Sequence, residues 1–190
     1  HKRDMVNISF IPINLRNALF AMEDRDFYQH SGISIKATIR AIIVDVLTLS
    51  TRQGASTITQ QLARNMYNSI GFKKTINRKI KELITAIKIE QTYTKSEILE
   101  LYLNSIYFGH GNYGAQSASI YYFSKNVSEL TLDEAAILIG LLPAPARYSP
   151  IRHPEKSLNR RNLVLNVMHS EGYISNDDLK KNLSKELSVS

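Results

Sequence analysis

Apolar residues recur along this chain mostly at intervals of three and four, the period of a helix with one face turned inward. Ile35, Ile39, Ile42, Ile43, Val46 and Leu49 form such a stripe within 34–49. Ile76, Ile80, Leu83, Ile84 and Ile87 form a second, which predicts a helix over 74–93 with that row as its buried face. Further helices are predicted over 12–24, 57–68, 96–108, about 115–123, 133–142, 155–171 and 176–187. Between them, Gly109 to Gly114 reads as a turn and 143–154 as an irregular connection. Thr57–Gln60, Thr94–Glu97 and Thr131–Glu134 carry the spacing of capping boxes at helix starts. No run alternates convincingly with a period of two, so no strand is expected. The predicted fold class is all-α.

Composition narrows the picture. At 190 residues with 43% hydrophobic, the chain can bury a core as one domain, with room for two lobes. There is no cysteine, which excludes a disulfide scaffold, a thiolate zinc site and a cysteine nucleophile. The apolar run Ala135 to Ala146 is broken by Pro143 and Pro145 and reads as a core helix with its exit, not a membrane span. The chain opens abruptly at His1-Lys2-Arg3 without a secretory signal, as an excised piece of a longer protein would.

Charge adds a direction. The net +7 favours an anionic partner: nucleic acid, acidic lipid or a phosphorylated substrate. Between Phe72 and Lys95 stand Lys73, Lys74, Arg78, Lys79, Lys81, Lys88 and Lys95, against Glu82 and Glu90 alone. Lys74, Arg78 and Glu82 share one helix face, which reads most simply as a solvated face with an Arg78–Glu82 pair. The alternative is a cationic ledge for a diphosphate. Glu23-Asp24, at a predicted helix end near His30 and Gly32, is either a surface acidic pair or a general base with its neighbour. Gly54 to Asn65 holds Ser56, Thr57, Thr59, Gln60 and Gln61 in quick succession before Arg64 and Asn65, more polar groups than a helix cap requires. Tyr102, Tyr107, Phe108, Tyr113, Tyr121, Tyr122 and Phe123 read as core, and His30, His110 and His153 have no metal-ligand spacing.

Taken in order, these segments resemble the peptidoglycan glycosyltransferases, glycosyltransferase family 51, the polymerase domain of bifunctional penicillin-binding proteins and of monofunctional transglycosylases. Five motifs carry the resemblance. They are Glu23-Asp24-x-x-Phe27-x-x-His30-x-Gly32; Gly54-x-Ser56-Thr57-Ile58-Thr59-Gln60-Gln61; Arg78-Lys79-x-x-Glu82; Lys95-x-x-Ile98-Leu99-x-x-Tyr102-Leu103-Asn104 with Phe108-Gly109 and Gly114; and Glu134-Ala135-Ala136 with Leu142-Pro143 and Pro145.

The resemblance implies a lysozyme-like larger lobe and a smaller membrane-associated lobe at about 33–54, within a single domain over 1–190. It implies polymerisation of lipid II into β-1,4 glycan by inversion, with release of undecaprenyl diphosphate. Glu23 matches the catalytic base and Glu82 the second essential carboxylate. Asp24, Ser56, Thr57, Gln60, Gln61, Arg64, Asn65, Lys74, Arg78 and Lys79 match substrate-binding positions. Arg64 stands where the family more often has lysine, and the length of the loop before Lys74 varies in the family. A divalent cation, Mg2+ above all, is implied by the diphosphate, with unknown ligands. The implied partners are lipid II, the growing glycan chain and the bacterial membrane surface, with no nucleic acid, and a C-terminal transpeptidase domain is possible in the parent protein. The implied place is the outer face of the cytoplasmic membrane, held by an N-terminal anchor that this chain lacks. The rival readings are a lysozyme-like hydrolase or lytic transglycosylase, and a basic helical nucleic-acid-binding module.

Overall fold

The computed structural model describes residues 4–33, 56–66 and 76–189. Within them lie α1 (Ile13–Glu23), α2 (Ile58–Met66), α3 (Ile76–Thr92), α4 (Lys95–Ser105), β1 (Tyr107–Gly109), β2 (Asn112–Tyr113), α5 (Ala115–Phe123), α6 (Leu132–Leu141), α7 (Pro154–Ser170) and α8 (Asn176–Leu183). The mainly helical class expected from the sequence is borne out. The Ile35 to Leu49 stripe, Gly54 and Lys74, and all of the expected smaller lobe except Ile33, lie outside the described residues. No described helix is long and apolar enough to cross a membrane.

The chain divides into two compact units, His1–Met22 with Ile106–Ser190, and Glu23–Ser105. In the first, α6 is buried from Asp133 to Leu141 and packs on α5, α7 and β1. It starts where Thr131 N–H donates to Glu134 Oε2 at 2.9 Å. Arg161 on α7 has no solvent exposure. Its guanidinium donates to the carbonyls of Leu183 (3.4 Å) and Lys185 (2.9 Å). α8 ends at Leu183, short of the expected 187, and Arg161 satisfies the Leu183 carbonyl that the helix end leaves open.

The expectation of no strand is corrected after α4. The helix stops at Ser105, and Tyr107–Gly109 pairs antiparallel with Asn112–Tyr113. Gly109 turns the chain at φ +95°, and a Cβ there would meet Tyr122 Oη at 3.0 Å. Tyr107 and Tyr113 face each other across this hairpin with ring centroids 4.9 Å apart. These two and Tyr121 are about 40% exposed, whereas Tyr102, Phe108, Tyr122 and Phe123 are buried as expected.

In the second unit, α2 packs against both α3 and α4. The expected buried face of α3 is corrected at three of its five residues, while Leu83 is half-buried and the side chain of Ile76 lies outside those described. Ile80, Ile84 and Ile87 are 48%, 51% and 37% exposed, while Glu82 and Ala86 are fully buried and Ile89 is 4% exposed. The helical period was legible and its phase was not. The inward face carries an ion-pair cluster, and the backbone of Ala86 lies close against Gly32. A Cβ added to Gly32 would lie 3.0 Å from the Ala86 carbonyl group.

Candidate active site

The site lies in the second unit, and its polar groups are organised around Gly32. Gly32 adopts φ +89°, open to glycine and strained for other residues. Its carbonyl accepts from Thr57 Oγ1 at 2.7 Å and from Gln60 Nε2 at 3.1 Å. Its N–H donates to His30 Nδ1 at 3.1 Å. The His30 proton therefore sits on Nε2, which donates to Asp24, with both carboxylate oxygens at 2.9 Å. Asp24 Oδ2 in turn accepts from the backbone N–H of Ile58, the first residue of α2, at 3.0 Å. A carboxylate at a helix start satisfies an orphan donor and complements the helix dipole. The Glu23-Asp24 segment is thus fixed to the N-terminus of α2.

A second layer holds this layer in place. Lys95, opening α4, donates to the His30 carbonyl at 2.6 Å and to Glu90 Oε1 at 2.7 Å, with its ammonium 4.5 Å from the Phe27 ring centroid. Glu90 also accepts from Thr59 Oγ1 at 2.6 Å. The expected Thr57–Gln60 capping box is only half made. Thr57 Oγ1 accepts from Gln60 N–H at 3.2 Å, but the Gln60 amide serves Gly32 and Lys79 instead of returning to Thr57.

Glu23, the last residue of α1, is half-buried. Its Oε2 accepts from Gln61 Nε2 at 2.9 Å. Gln61 Oε1 accepts from Tyr102 Oη at 3.0 Å. Burial, and then the nearby negative charge of Glu23, push the Tyr102 hydroxyl well above its ordinary range. It stays a protonated donor, so the Gln61 amide can present only its NH2 end to Glu23.

One turn further along α2 the charge changes sign. Arg64 Nη1 lies 3.9 Å from Glu82 Oε2. The same oxygen accepts from Arg78 at 2.6 Å, and the other oxygen accepts from Lys79 Nζ at 2.7 Å. Lys79 also donates to Ser56 Oγ at 2.9 Å and Gln60 Oε1 at 2.8 Å. Glu82 is fully buried under three cations, of which Arg64 and Lys79 keep 29% and 38% of their side chains exposed. An excess of positive charge therefore reaches the surface beside α2, held in position by one buried carboxylate. Asn65, half-buried, follows on the same helix.

Of the residues singled out by sequence, Glu23, Gln61, Arg64, Arg78, Lys79, Glu82 and Ser56 are brought together here. Asp24, Thr57 and Gln60 are no more than 5% exposed and hold the scaffold around Gly32. Lys74 lies outside the described residues. Among the described residues, no three of His, Asp and Glu are grouped to hold a metal ion, and both oxygens of Glu82 are occupied by cations. This donor set does not fit a protein-held divalent cation.

A family model described as Transglycosylase matches residues 1–169. The chain belongs to the transglycosylase family. It is 50% identical over 188 residues to penicillin-binding protein 1A of Aquifex aeolicus, covering 99% of this chain and 26% of that protein. It is 49% identical over 173 residues to penicillin-binding protein 1F of Bacillus subtilis, covering 91% and 24% respectively. The crystal structure of penicillin-binding protein 1A from Haemophilus influenzae matches all of this chain and 18% of its own, with a TM-score of 0.62 and 27% identity. The chain thus spans about a quarter of the length of the curated relatives it matches.

Two groups of functional interest within this transglycosylase domain were not selected from sequence as site residues. One is His30 with Lys95 and Glu90, which fix Asp24 and the loop to Gly32. The other is Tyr102, read as core from its apolar neighbours. A buried tyrosine needs a hydroxyl partner, and that requirement is the signal in the sequence that points to Tyr102.

Proposed function

We propose that this chain is a peptidoglycan glycosyltransferase that joins lipid II units into β-1,4 glycan with inversion, releasing undecaprenyl diphosphate. The observation that carries the reading is the division of labour on α2. Gln61 holds the Glu23 carboxylate, and Arg64, one turn away, belongs to the cation cluster on Glu82. Three residues along a helix advance about 4.5 Å, so the two halves stand side by side at the scale of a sugar bound to a phosphate.

In this proposal Glu23 accepts the proton of the attacking sugar 4-hydroxyl as the bond to the donor anomeric carbon forms. The bond from that carbon to the diphosphate oxygen breaks, and its electron pair leaves with the diphosphate. A diphosphate needs charge neutralisation more than protonation, and Arg64, Arg78 and Lys79 supply it. Glu82 keeps these like charges together, and Ser56 and Asn65 complete the polar wall. No step runs through a divalent cation.

The exposed row Ile80, Ile84 and Ile87, flanked on α3 by exposed Lys81 and Lys88, supports a face that rests on an anionic membrane surface. An outer-face location, an anchor and a further transpeptidase domain belong to the same proposal, supported by relatives about four times as long.

A hydrolase of finished glycan would not need the cation cluster, since its leaving group requires an acid. The test is to supply the purified chain with lipid II and, separately, with finished peptidoglycan. Growth of glycan from lipid II is the expected result. Shortening of finished polymer without growth would refute the proposal in favour of the hydrolase. Salt-dependent DNA binding with neither activity would favour the nucleic-acid module.

A further inference from the structure

The first unit carries a second cationic feature that the proposed reaction does not use. A groove of about 270 Å³ is lined by Arg147, Tyr148, Lys156, Asn159, Arg160 and Leu163. The guanidinium carbons of Arg160 and Arg147 lie 5.4 Å and 5.7 Å from the centroid of the Tyr148 ring. Both are within the range of a cation–π contact. The stem of Arg160 is seated on α6, where a Cβ added to Gly140 would meet Arg160 Cγ at 3.1 Å. Its Nε is buried without an acceptor. Arg160 is therefore positioned by packing and by an aromatic ring. Among the described residues, the ion pairs involve other cations: Arg64, Arg78, Lys79, Lys95, Lys125, Lys185 and His30. Among the described residues, no ion pair involves Arg147, Lys156 or Arg160, and all three line one groove.

We infer that this groove is a docking site for an acidic peptide segment of a partner protein. Two guanidinium groups placed on one ring present planar forks suited to carboxylates. Lys156 and Asn159 add donors at the rim. Leu163, 44% exposed, and the Tyr148 ring offer apolar surface for the stems of glutamate or a neighbouring aliphatic residue. A bare phosphate would leave that apolar surface unused, which is why a peptide is favoured over a small inorganic anion. The groove shares no residue with Glu23 or the cluster on Glu82.

The test uses the 190-residue chain and a fluorescent peptide of six glutamates around one leucine, with anisotropy read at low and moderate salt. A peptide with glutamine in place of every glutamate is the control. Binding of the acidic peptide alone is expected, weakened at least tenfold by the double change Arg147→Glu and Lys156→Glu. Both of these side chains are exposed, so the fold should stand, and an unchanged melting curve verifies this. Arg160→Gln, which keeps much of the stem on Gly140, should weaken binding similarly. Arg64→Ala should leave it unchanged. Absent binding, binding insensitive to the charge reversals, or loss on Arg64→Ala in their place would overturn the inference. Displacement of the peptide by equimolar inorganic pyrophosphate would also overturn it, assigning the groove to small anions.

Discussion

The side-chain amide of Gln61 donates to Glu23 Oε2 at 2.9 Å, and its carbonyl end is held by the buried hydroxyl of Tyr102 at 3.0 Å. A three-residue relay thus fixes which way the proposed base is presented. Tyr102→Phe removes the donor that orients the amide and leaves Gln61 Oε1 without its partner. The expected result is a loss of about 1–3 kcal/mol in stability and a roughly tenfold lower turnover, equivalent to about 1.4 kcal/mol. The donor KM should be nearly unchanged. Urea unfolding and steady-state lipid II polymerisation measure these. Wild-type turnover in Tyr102→Phe would show that the relay does not position Glu23.

Glu82 joins Arg64, Arg78 and Lys79 from a fully buried position. Glu82→Gln keeps the shape and removes the only carboxylate in contact with these three cations among the described residues. Breaking a buried ion cluster by removing one partner costs about 3–5 kcal/mol. A drop of that size in urea-derived stability is expected, together with loss of polymerisation. Combining it with Arg78→Met should recover part of the stability, because one uncompensated cation is removed. If the single variant unfolds at wild-type urea concentrations, Glu82 is not the organiser of the cluster.

Acid stability has a local source in the first unit. Burial pushes the Asp133 carboxyl up, but its hydrogen bonds from Lys185 at 2.6 Å and Thr131 at 2.9 Å outweigh that and hold it below its ordinary 3.8. A carboxylate with a depressed folded value binds fewer protons folded than unfolded near and below 3.8. Its stabilisation is therefore full above that pH and is lost as pH falls through the folded value. Lys185 is 38% exposed, so solvent screening limits the pair to about 0.5–1 kcal/mol. Lys185→Met should lower stability by that amount at pH 7 and by less at pH 3. Equal effects at both pH values would contradict the assignment.

Much of the helical order was legible from start signals: Pro12 before α1, Gly114 before α5, the Thr131–Glu134 capping box at α6 and Pro154 opening α7. The hairpin was not, since Tyr107–Gly109 is only three residues long and is shaped by the turn at Gly109. The phase of α3 was not either. Its isoleucines form the better apolar stripe, but the inward face carries Glu82, which meets Arg64 of α2, and Lys79, which donates to Ser56 and Gln60, partners that local spacing does not reveal. Motif residues marked Glu23 and Glu82, and the basic position Arg64 between them, as belonging together, while the roles of the motif residues His30, Lys95 and Tyr102 become visible only through partners that the fold supplies. Asp24, Thr57 and Gln60 match substrate-binding positions in the sequence, and the fold adds that their polar groups are directed to the backbone of Gly32 and Ile58 and to neighbouring side chains.

The central claim is that Glu23 takes a proton from the attacking sugar. Glu23→Gln preserves size and hydrogen-bonding reach while abolishing basicity, so the direct measurement is single-turnover extension of glycan from lipid II by this variant. Melting curves and donor affinity are recorded on the same sample. The expected result is at least a 100-fold slower step with fold and donor affinity retained. Extension at close to the wild-type rate would contradict the claim.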